Sequence, residues 1–210
     1  MPLEVAVWRI DEKLQRVEQT QLNLESRLQD LLDEDITIAN PGWMVIGREV
    51  ITEHGGRIDI LAIDAAATLV IIELKRDRTP RDIVAQVLDY GSWVSQLRAD
   101  RIAEVYQDYL ARFHPDKKNS LDDAFRARFH QDQALDELNA RHELVIVASS
   151  LDPATERIVQ YLSDAYGVSI NALFFQLFTD AERQEPQKPH FHTPLFLAVC
   201  AQGYNQSPQT

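Results

Sequence analysis

The chain has 210 residues, 45% hydrophobic and 26% charged, which is the composition of a globular protein with one sizeable core. Its formal net charge of −12 argues against a protein that coats nucleic acid nonspecifically, because such binding depends on lysine and arginine. The first residues lack the pattern of a signal peptide, and no apolar run reaches the roughly 20 residues of a membrane span. We therefore expect a cytoplasmic protein that does not contact membranes.

Helical and strand-like patterns follow one another along the first half of the chain. Apolar residues at near-helical spacing from Leu14 to Leu32 predict a helix, so residues 1–23 are interpreted as a helical N-terminal extension. After a turn at Asn40-Pro41-Gly42, WMVIGREV favours a strand. The next two apolar runs, IDILAID and LVIIELK, are joined only by AAAT, which predicts an antiparallel hairpin buried on both faces.

The second half predicts helices first and then strands. Thr79 and Pro80 are typical of a helix start, and that helix should run to about Leu97. Residues 99–142 are polar, helix-prone and broken at His114-Pro115, so we interpret them as a helical insertion. A strand (HELVIVASS), a capped helix ending at Gly167 and a strand (VSINALFFQLF) follow. We expect a core domain over 24–180 and a C-terminal strand and tail over 181–210.

Three charged residues interrupt the two apolar runs. Asp59 lies within IDILAID, where an ionised carboxylate is costly unless it is paired or binds a cation. Glu73 and Lys75 interrupt LVIIELK and, being two residues apart on a strand, project to the same face. If AAAT closes the hairpin, Asp59 lies across from about Glu73 or Leu74. Two carboxylates and one ammonium group should therefore converge.

Neighbouring carboxylates repel each other unless a cation holds them, and hard oxygen ligands suit Mg²⁺, with Mn²⁺ able to substitute. A metal bound there could polarise a phosphodiester and lower the pKa of a water, while Lys75 orients the water or offsets developing negative charge. For Asp59 alone, a core carboxylate satisfied by other groups is the simpler interpretation. The three residues together predict phosphodiester hydrolysis.

GGRIDILAID followed by LVIIELKRDRTPRDIVAQVLDY resembles the PD-(D/E)XK signature of restriction-endonuclease-like nucleases. Asp59 and the Glu73-Leu74-Lys75 triplet stand in its motif positions. The chain is most similar to the catalytic domain of the NucS/EndoMS-type endonucleases, from about Leu24 to Trp93. This resemblance implies an α/β fold: a restriction-endonuclease-like core with a mixed central sheet flanked by helices and a helical insertion.

The resemblance also implies roles for further residues. Gln86 and Tyr90 match a Gln-xxx-Tyr pair that points at the site from one helical face. Glu25 matches a glutamate that could bind metal through water, and the carbonyl of Leu74 is a further implied metal ligand. Arg57 matches as well. For phosphate contacts the sequence offers four arginines near the motif, for which solvated surface positions are the alternative: Arg57, Arg76, Arg78 and Arg81.

We therefore predict a Mg²⁺-dependent endonuclease acting on DNA, in repair or in defence against foreign DNA. The alternative is a non-catalytic nuclease-fold protein that binds nucleic acid or scaffolds a complex. Members of the similar family carry a separate N-terminal DNA-binding and dimerisation domain, which this chain is too short to contain. Substrate selection would then come from the insertion or from a protein partner, and the amphipathic N-terminal pattern fits either a homodimer or core packing.

Overall fold

The computed structural model of the chain describes residues 7–10, 14–20, 25–75, 81–131, 138–179 and 195–202. The strands there are β1 (Trp8–Ile10), β2 (Leu14–Arg16), β3 (Glu18–Thr20), β4 (Trp43–Ile51), β5 (Arg57–Asp64), β6 (Leu69–Lys75), β7 (His142–Ala148), β8 (Ile170–Thr179) and β9 (Leu195–Gln202). The helices are α1 (Glu25–Glu34), α2 (Asp82–Val94), α3 (Ala99–Phe113), α4 (Leu121–Phe129) and α5 (Pro153–Tyr166), with a short 3-10 helix at Ile36–Ile38. Within these residues no helix is both long and apolar enough to cross a bilayer.

One mixed sheet organises the fold. Its strands follow the order β3-β8-β7-β6-β5-β4, and β9 also pairs with β8. The pairs β4–β5 and β5–β6 are antiparallel, whereas β6–β7 and β7–β8 are parallel. Helix α1 packs against β5 and β6, α2 against β6 and β7, and α5 against β8. The predicted α/β class, with a mixed central sheet flanked by helices, is confirmed.

The β5–β6 hairpin is the centre of the hydrophobic core. Asp64 closes its turn, because Oδ1 accepts hydrogen bonds from the amides of Ala66 and Thr68, both at 2.8 Å. Ala67 adopts a left-handed backbone conformation there, with φ of 61°. Every residue of β6 before Lys75 is buried, as expected for a strand covered on both faces. The hairpin prediction is confirmed, and it places the polar end of β6 at the margin of the core.

The predicted helix over residues 14–23 is wrong where the structure describes that segment. Residues 14–16 form β2, which pairs with β1, and residues 18–20 form β3, which pairs with residues 177–179 of β8. The helix begins at Glu25 instead. Pairing with a strand far away in the sequence outweighs the local helical spacing of the apolar residues.

The helices after the hairpin agree with most of the sequence predictions. Helix α2 ends at Val94 rather than near Leu97, and its predicted start at Thr79 and Pro80 lies outside the described residues. The segment after it contains α3 and α4, separated at His114-Pro115 as predicted. Asp152 caps α5 and Gly167 ends it at φ of 63°, which confirms the capped helix.

Helix α1 is held against the rest of the molecule by its two aspartates. Arg48 of β4 donates through Nη2 to Asp30 at 2.6 Å and through Nη1 to Asp33 at 3.1 Å. The hydroxyl of Tyr109 on α3 donates to Oδ1 of Asp33 at 2.6 Å. These contacts fix the position of α1, which carries two polar residues toward the site described below.

Candidate active site

Asp59 and Glu73 come together because of the β5–β6 register. The last paired positions are Ile60 with Ile72, so Asp59 and Glu73 are the next residues on the two strands. The backbone amide of Leu74 donates to Oδ2 of Asp59 at 2.8 Å, which fixes the carboxylate at the end of β6. The predicted placement of Asp59 across from Glu73 or Leu74 is confirmed.

Glu73 is the most deeply buried charged residue of this group, with 2% of its surface exposed. Its Oε1 accepts two hydrogen bonds, from Lys75 Nζ and from Gln86 Nε2, both at 2.7 Å. Its Oε2 is buried and has no hydrogen-bond partner among the described residues. Burial, followed by the nearby charge of Asp59, raises the pKa of Glu73 to about 7. Glu73 therefore has one free carboxylate oxygen facing a neighbouring acid.

The charges around Asp59 and Lys75 show how closely this group is coupled. Burial raises the pKa of Asp59, and the charge of Glu25 adds to the rise, while the Leu74 amide, Lys75 and Arg57 oppose it. Burial works to lower the pKa of Lys75, but the hydrogen bond and charge of Glu73 outweigh it, so the net shift is upward. Lys75 is therefore a positively charged ammonium beside two carboxyl groups whose ionised forms are destabilised by burial.

Helix α2 contributes a second layer of contacts through residues one turn apart. Gln86 Nε2 donates both to Glu73 and to the hydroxyl of Tyr90, the latter at 2.8 Å. Tyr90 is 4% exposed, and its hydroxyl also accepts a long hydrogen bond, 3.4 Å, from the amide of Arg57. Gly56 lies so close that an added Cβ would come within 2.6 Å of the Tyr90 ring. A chain of hydrogen bonds therefore runs from the amide of Arg57 at the start of β5, through Tyr90 and Gln86, to Glu73.

The structure places Glu25 at the margin of the site. It is exposed at the start of α1, and its charge affects the pKa of both Asp59 and Lys75. Across the described ranges, no three His, Cys, Asp or Glu side chains converge as a ready metal cluster. A ligand role for Glu25 and for the Leu74 carbonyl therefore stays a prediction.

The arginines predicted to contact phosphate are only partly described. Arg57 is 60% exposed at the start of β5, and its charge opposes the rise in the pKa of Asp59 that burial causes. Arg81 is exposed directly before α2. Arg76 and Arg78 lie outside the described residues.

Gln29 is a site residue that the sequence analysis missed. Only 6% of it is exposed, and its Nε2 donates to the backbone carbonyl of Asp59 at 2.9 Å. It lies one helical turn after Glu25, so α1 presents both residues on the same side. The sequence signal was a glutamine within LESRLQDLL, at a position where the periodicity of the helix would favour an apolar residue.

A divalent cation fits the donors present. A buried carboxylate oxygen without a partner, beside a second carboxylate whose pKa is raised, is an electrostatic conflict that a cation would relieve. Carboxylate and carbonyl oxygens are the ligands that Mg²⁺ and Mn²⁺ prefer. Asp59 and Glu73 would hold the ion, and the Leu74 carbonyl and a water-bridged Glu25 remain the further ligands that the sequence resemblance predicts.

Residues 24–113 match a family model described as the endonuclease NucS C-terminal domain. This segment is therefore similar to the C-terminal domain of NucS endonucleases. It contains every catalytic and metal-binding residue predicted from the sequence, and it extends beyond Trp93 to the end of α3. The predicted resemblance to NucS-type nucleases is confirmed over this segment.

Solved structures show more distant similarity. The chain is 16% identical to a protein described as an EndoMS-dsDNA2 complex, with a TM-score of 0.42 over 81% of this chain and 64% of that one. It is 15% identical to a repair endonuclease from Pyrococcus abyssi, with a TM-score of 0.39 over 79% and 63%. For EndoMS in the apo form the values are 18% and 0.40 over 75% and 48%. The chain spans less than two thirds of each of these proteins, and no curated protein matched it.

Proposed function

We propose that the chain is a metal-dependent endonuclease that hydrolyses phosphodiester bonds in DNA, in repair or in defence against foreign DNA. The observation that carries the proposal is the buried, unpartnered Oε2 of Glu73 beside Asp59. The match of residues 24–113 to an endonuclease family supports it. Mg²⁺ is the proposed cofactor, and Mn²⁺ should substitute for it.

The carboxylates and Lys75 have different roles in the proposed reaction. When bound, the metal would act as a Lewis acid on the scissile phosphate and lower the pKa of a water. Asp59 is held for ligation by the Leu74 amide on Oδ2 and by Gln29 on its backbone carbonyl. Lys75 keeps its proton on Nζ through its bond to Glu73, so its positive charge is available to a pentacovalent phosphate.

Gln86 and Tyr90 act by orienting Glu73. Gln86 occupies Oε1 together with Lys75, which leaves Oε2 as the free atom. Tyr90 in turn accepts a hydrogen bond from Gln86 and fixes that amide. Because all three side chains are largely buried or packed against one another, the free oxygen has little freedom to turn away.

The test is cleavage of duplex, mismatched, flapped and single-stranded DNA by the full chain, with Mg²⁺, Mn²⁺ or excess chelator. We expect metal-dependent cutting by the wild type and at least a hundredfold loss in Asp59→Asn and Lys75→Met. Glu104→Gln is the matched control, because it removes a carboxylate from an exposed ion pair on α3. Circular dichroism checks that each variant is folded.

The outcomes separate the proposal from its rival. Cutting that both substitutions abolish and the control retains supports the nuclease. DNA binding without cutting under any metal would overturn it in favour of a non-catalytic binding protein. The same preparations test the predicted homodimer, since light scattering gives the mass in solution.

A further inference from the structure

Glu49 occupies an unusual position next to the candidate active site. The pairing of Arg48 with Ile60 and of Val50 with Ile58 places it across from Asp59 on the neighbouring strand. Its backbone has φ of 52°, a left-handed conformation that is rare for a residue other than glycine and asparagine. Such strain persists where surrounding contacts demand it, and it is concentrated at functional sites.

The contacts that hold Glu49 are two arginines from different elements. Its Oε1 lies 4.0 Å from Nη1 of Arg57 at the start of β5, and its Oε2 lies 3.1 Å from Nη2 of Arg112 in the last turn of α3. The two arginine side chains are 60% and 52% exposed, whereas Glu49 is 29% exposed. Glu49 thus contacts two guanidinium groups and neutralises only one of their two positive charges.

The pair lies beside the carboxylates of the site. Arg57 is two residues before Asp59 on the same strand, so the two side chains share a face about 7 Å apart along the strand. The charge of Arg57 also acts on the Asp59 carboxyl. Arg112 extends from the last turn of α3 to Glu49, so α3 also places a positive charge near the site.

We infer that Arg57 and Arg112 together bind a DNA backbone phosphate near the one that is cut, and that Glu49 holds the two guanidinium groups in place until the phosphate replaces it. The inference rests on the proposed function. Arginine is suited to this role because its planar guanidinium binds phosphate oxygens with two parallel hydrogen bonds. Ion pairs this exposed are weak, so a phosphate can displace the carboxylate.

The experiment is a binding titration of fluorescein-labelled duplex and flapped DNA, followed by anisotropy in excess chelator over a series of salt concentrations. It compares the full-length wild type with Arg112→Gln, Glu49→Gln and Arg126→Gln. Arg126 is the matched control, because it is an exposed arginine on a different helix, α4, where it pairs with Asp123 of that helix. Thermal melts show whether the variants remain folded.

We expect Arg112→Gln to weaken binding about threefold or more and to reduce the slope of log K against log salt by about 0.9, the value for one lost phosphate contact. Glu49→Gln should tighten binding, because a competing carboxylate is removed. Arg126→Gln should change the affinity less than twofold. A purely structural ion pair would instead make Arg112→Gln and Glu49→Gln lower the melting temperature equally, without opposite effects on DNA.

Several results would overturn the inference. These are an Arg112→Gln affinity equal to that of Arg126→Gln, weaker binding in Glu49→Gln, or no measurable DNA binding by the wild type. Failure of the proposed function is distinguishable. If the wild type binds DNA with the expected variant effects but never cuts it, the phosphate contact stands and the nuclease proposal falls. If it cuts DNA but Arg112→Gln has no effect, the reverse holds.

Discussion

Replacing Glu73 with glutamine should stabilise the protein in the absence of metal at pH 8. The carboxylate is 2% exposed, one of its oxygens lacks a partner, and Asp59 is its neighbour. The amide of glutamine removes the charge while keeping the shape. A residue that destabilises the fold is expected at a functional site, where metal binding offsets the destabilisation.

The magnitude follows from the raised pKa of Glu73. The pKa rises from its ordinary value of 4.5 to about 7, so the folded state binds the proton more tightly than the unfolded state. The contribution of protonated Glu73 to the stability of the fold is therefore complete below pH 4.5 and is lost as the pH rises through about 7. At 1.36 kcal/mol per pKa unit, the loss is at most roughly 3 kcal/mol, since Asp59 shares the repulsion.

The assay is thermal unfolding in excess chelator at pH 5 and pH 8. For a chain of this length, roughly 3 kcal/mol corresponds to a gain in Tm of roughly 6–12 °C for Glu73→Gln at pH 8, with a smaller gain at pH 5. Glu104→Gln, which removes an exposed carboxylate, should change stability by no more than about 0.5 kcal/mol. Mg²⁺ or Mn²⁺ should raise the Tm of the wild type at pH 8 and leave that of Glu73→Gln nearly unchanged.

The reasoning is refuted if Glu73→Gln melts at or below the wild-type temperature at pH 8. It is also refuted if the gain is the same at both pH values, because the carboxylate would then not be the source of the instability.

Three substitutions around the site give further tests. Gln29→Met keeps the volume but removes the donor to Asp59, so the Mn²⁺ concentration for half-maximal cleavage should rise about tenfold; an unchanged metal requirement at reduced stability would show a purely structural role. Tyr90→Phe removes the hydroxyl that Gln86 contacts, which should lower the free energy of unfolding in urea by about 1 kcal/mol and reduce kcat; full activity would contradict the orienting role. Gly56→Ala places a Cβ 2.6 Å from the Tyr90 ring, so we expect a loss of about 1–3 kcal/mol, and a neutral result would mean that the turn moves freely.

The hairpin and its two carboxylates could be predicted because the information is local. Two apolar runs joined by four residues admit few arrangements, and their register follows from the length of the link. The capped helix α5 was predictable for the same reason, since Asp152 and Gly167 mark its ends within the segment itself.

The missed features depend on partners far away in the sequence. Residues 18–20 are a strand because they pair with residues 177–179, and no local pattern carries that information. The contact of Gln29 with Asp59 spans 30 residues, and that of Glu49 with Arg112 spans 63. A sequence shows that such residues are polar, but the fold decides which of them meet.

The turn at Asp64–Thr68 has an effect on the site about 17 Å away, five residues along β5. The number of residues in the turn sets the register of the hairpin, because it determines which residue of β6 lies opposite Asp59. Ala65 and Ala66 are exposed, so their side chains are free to vary, but the number of residues is not. One residue more or less would slide β6 by a single step and turn Glu73 and Lys75 to the opposite face of the sheet. Selection on this turn should therefore act on its length and on Asp64, whose side chain closes it, more than on Ala65 and Ala66.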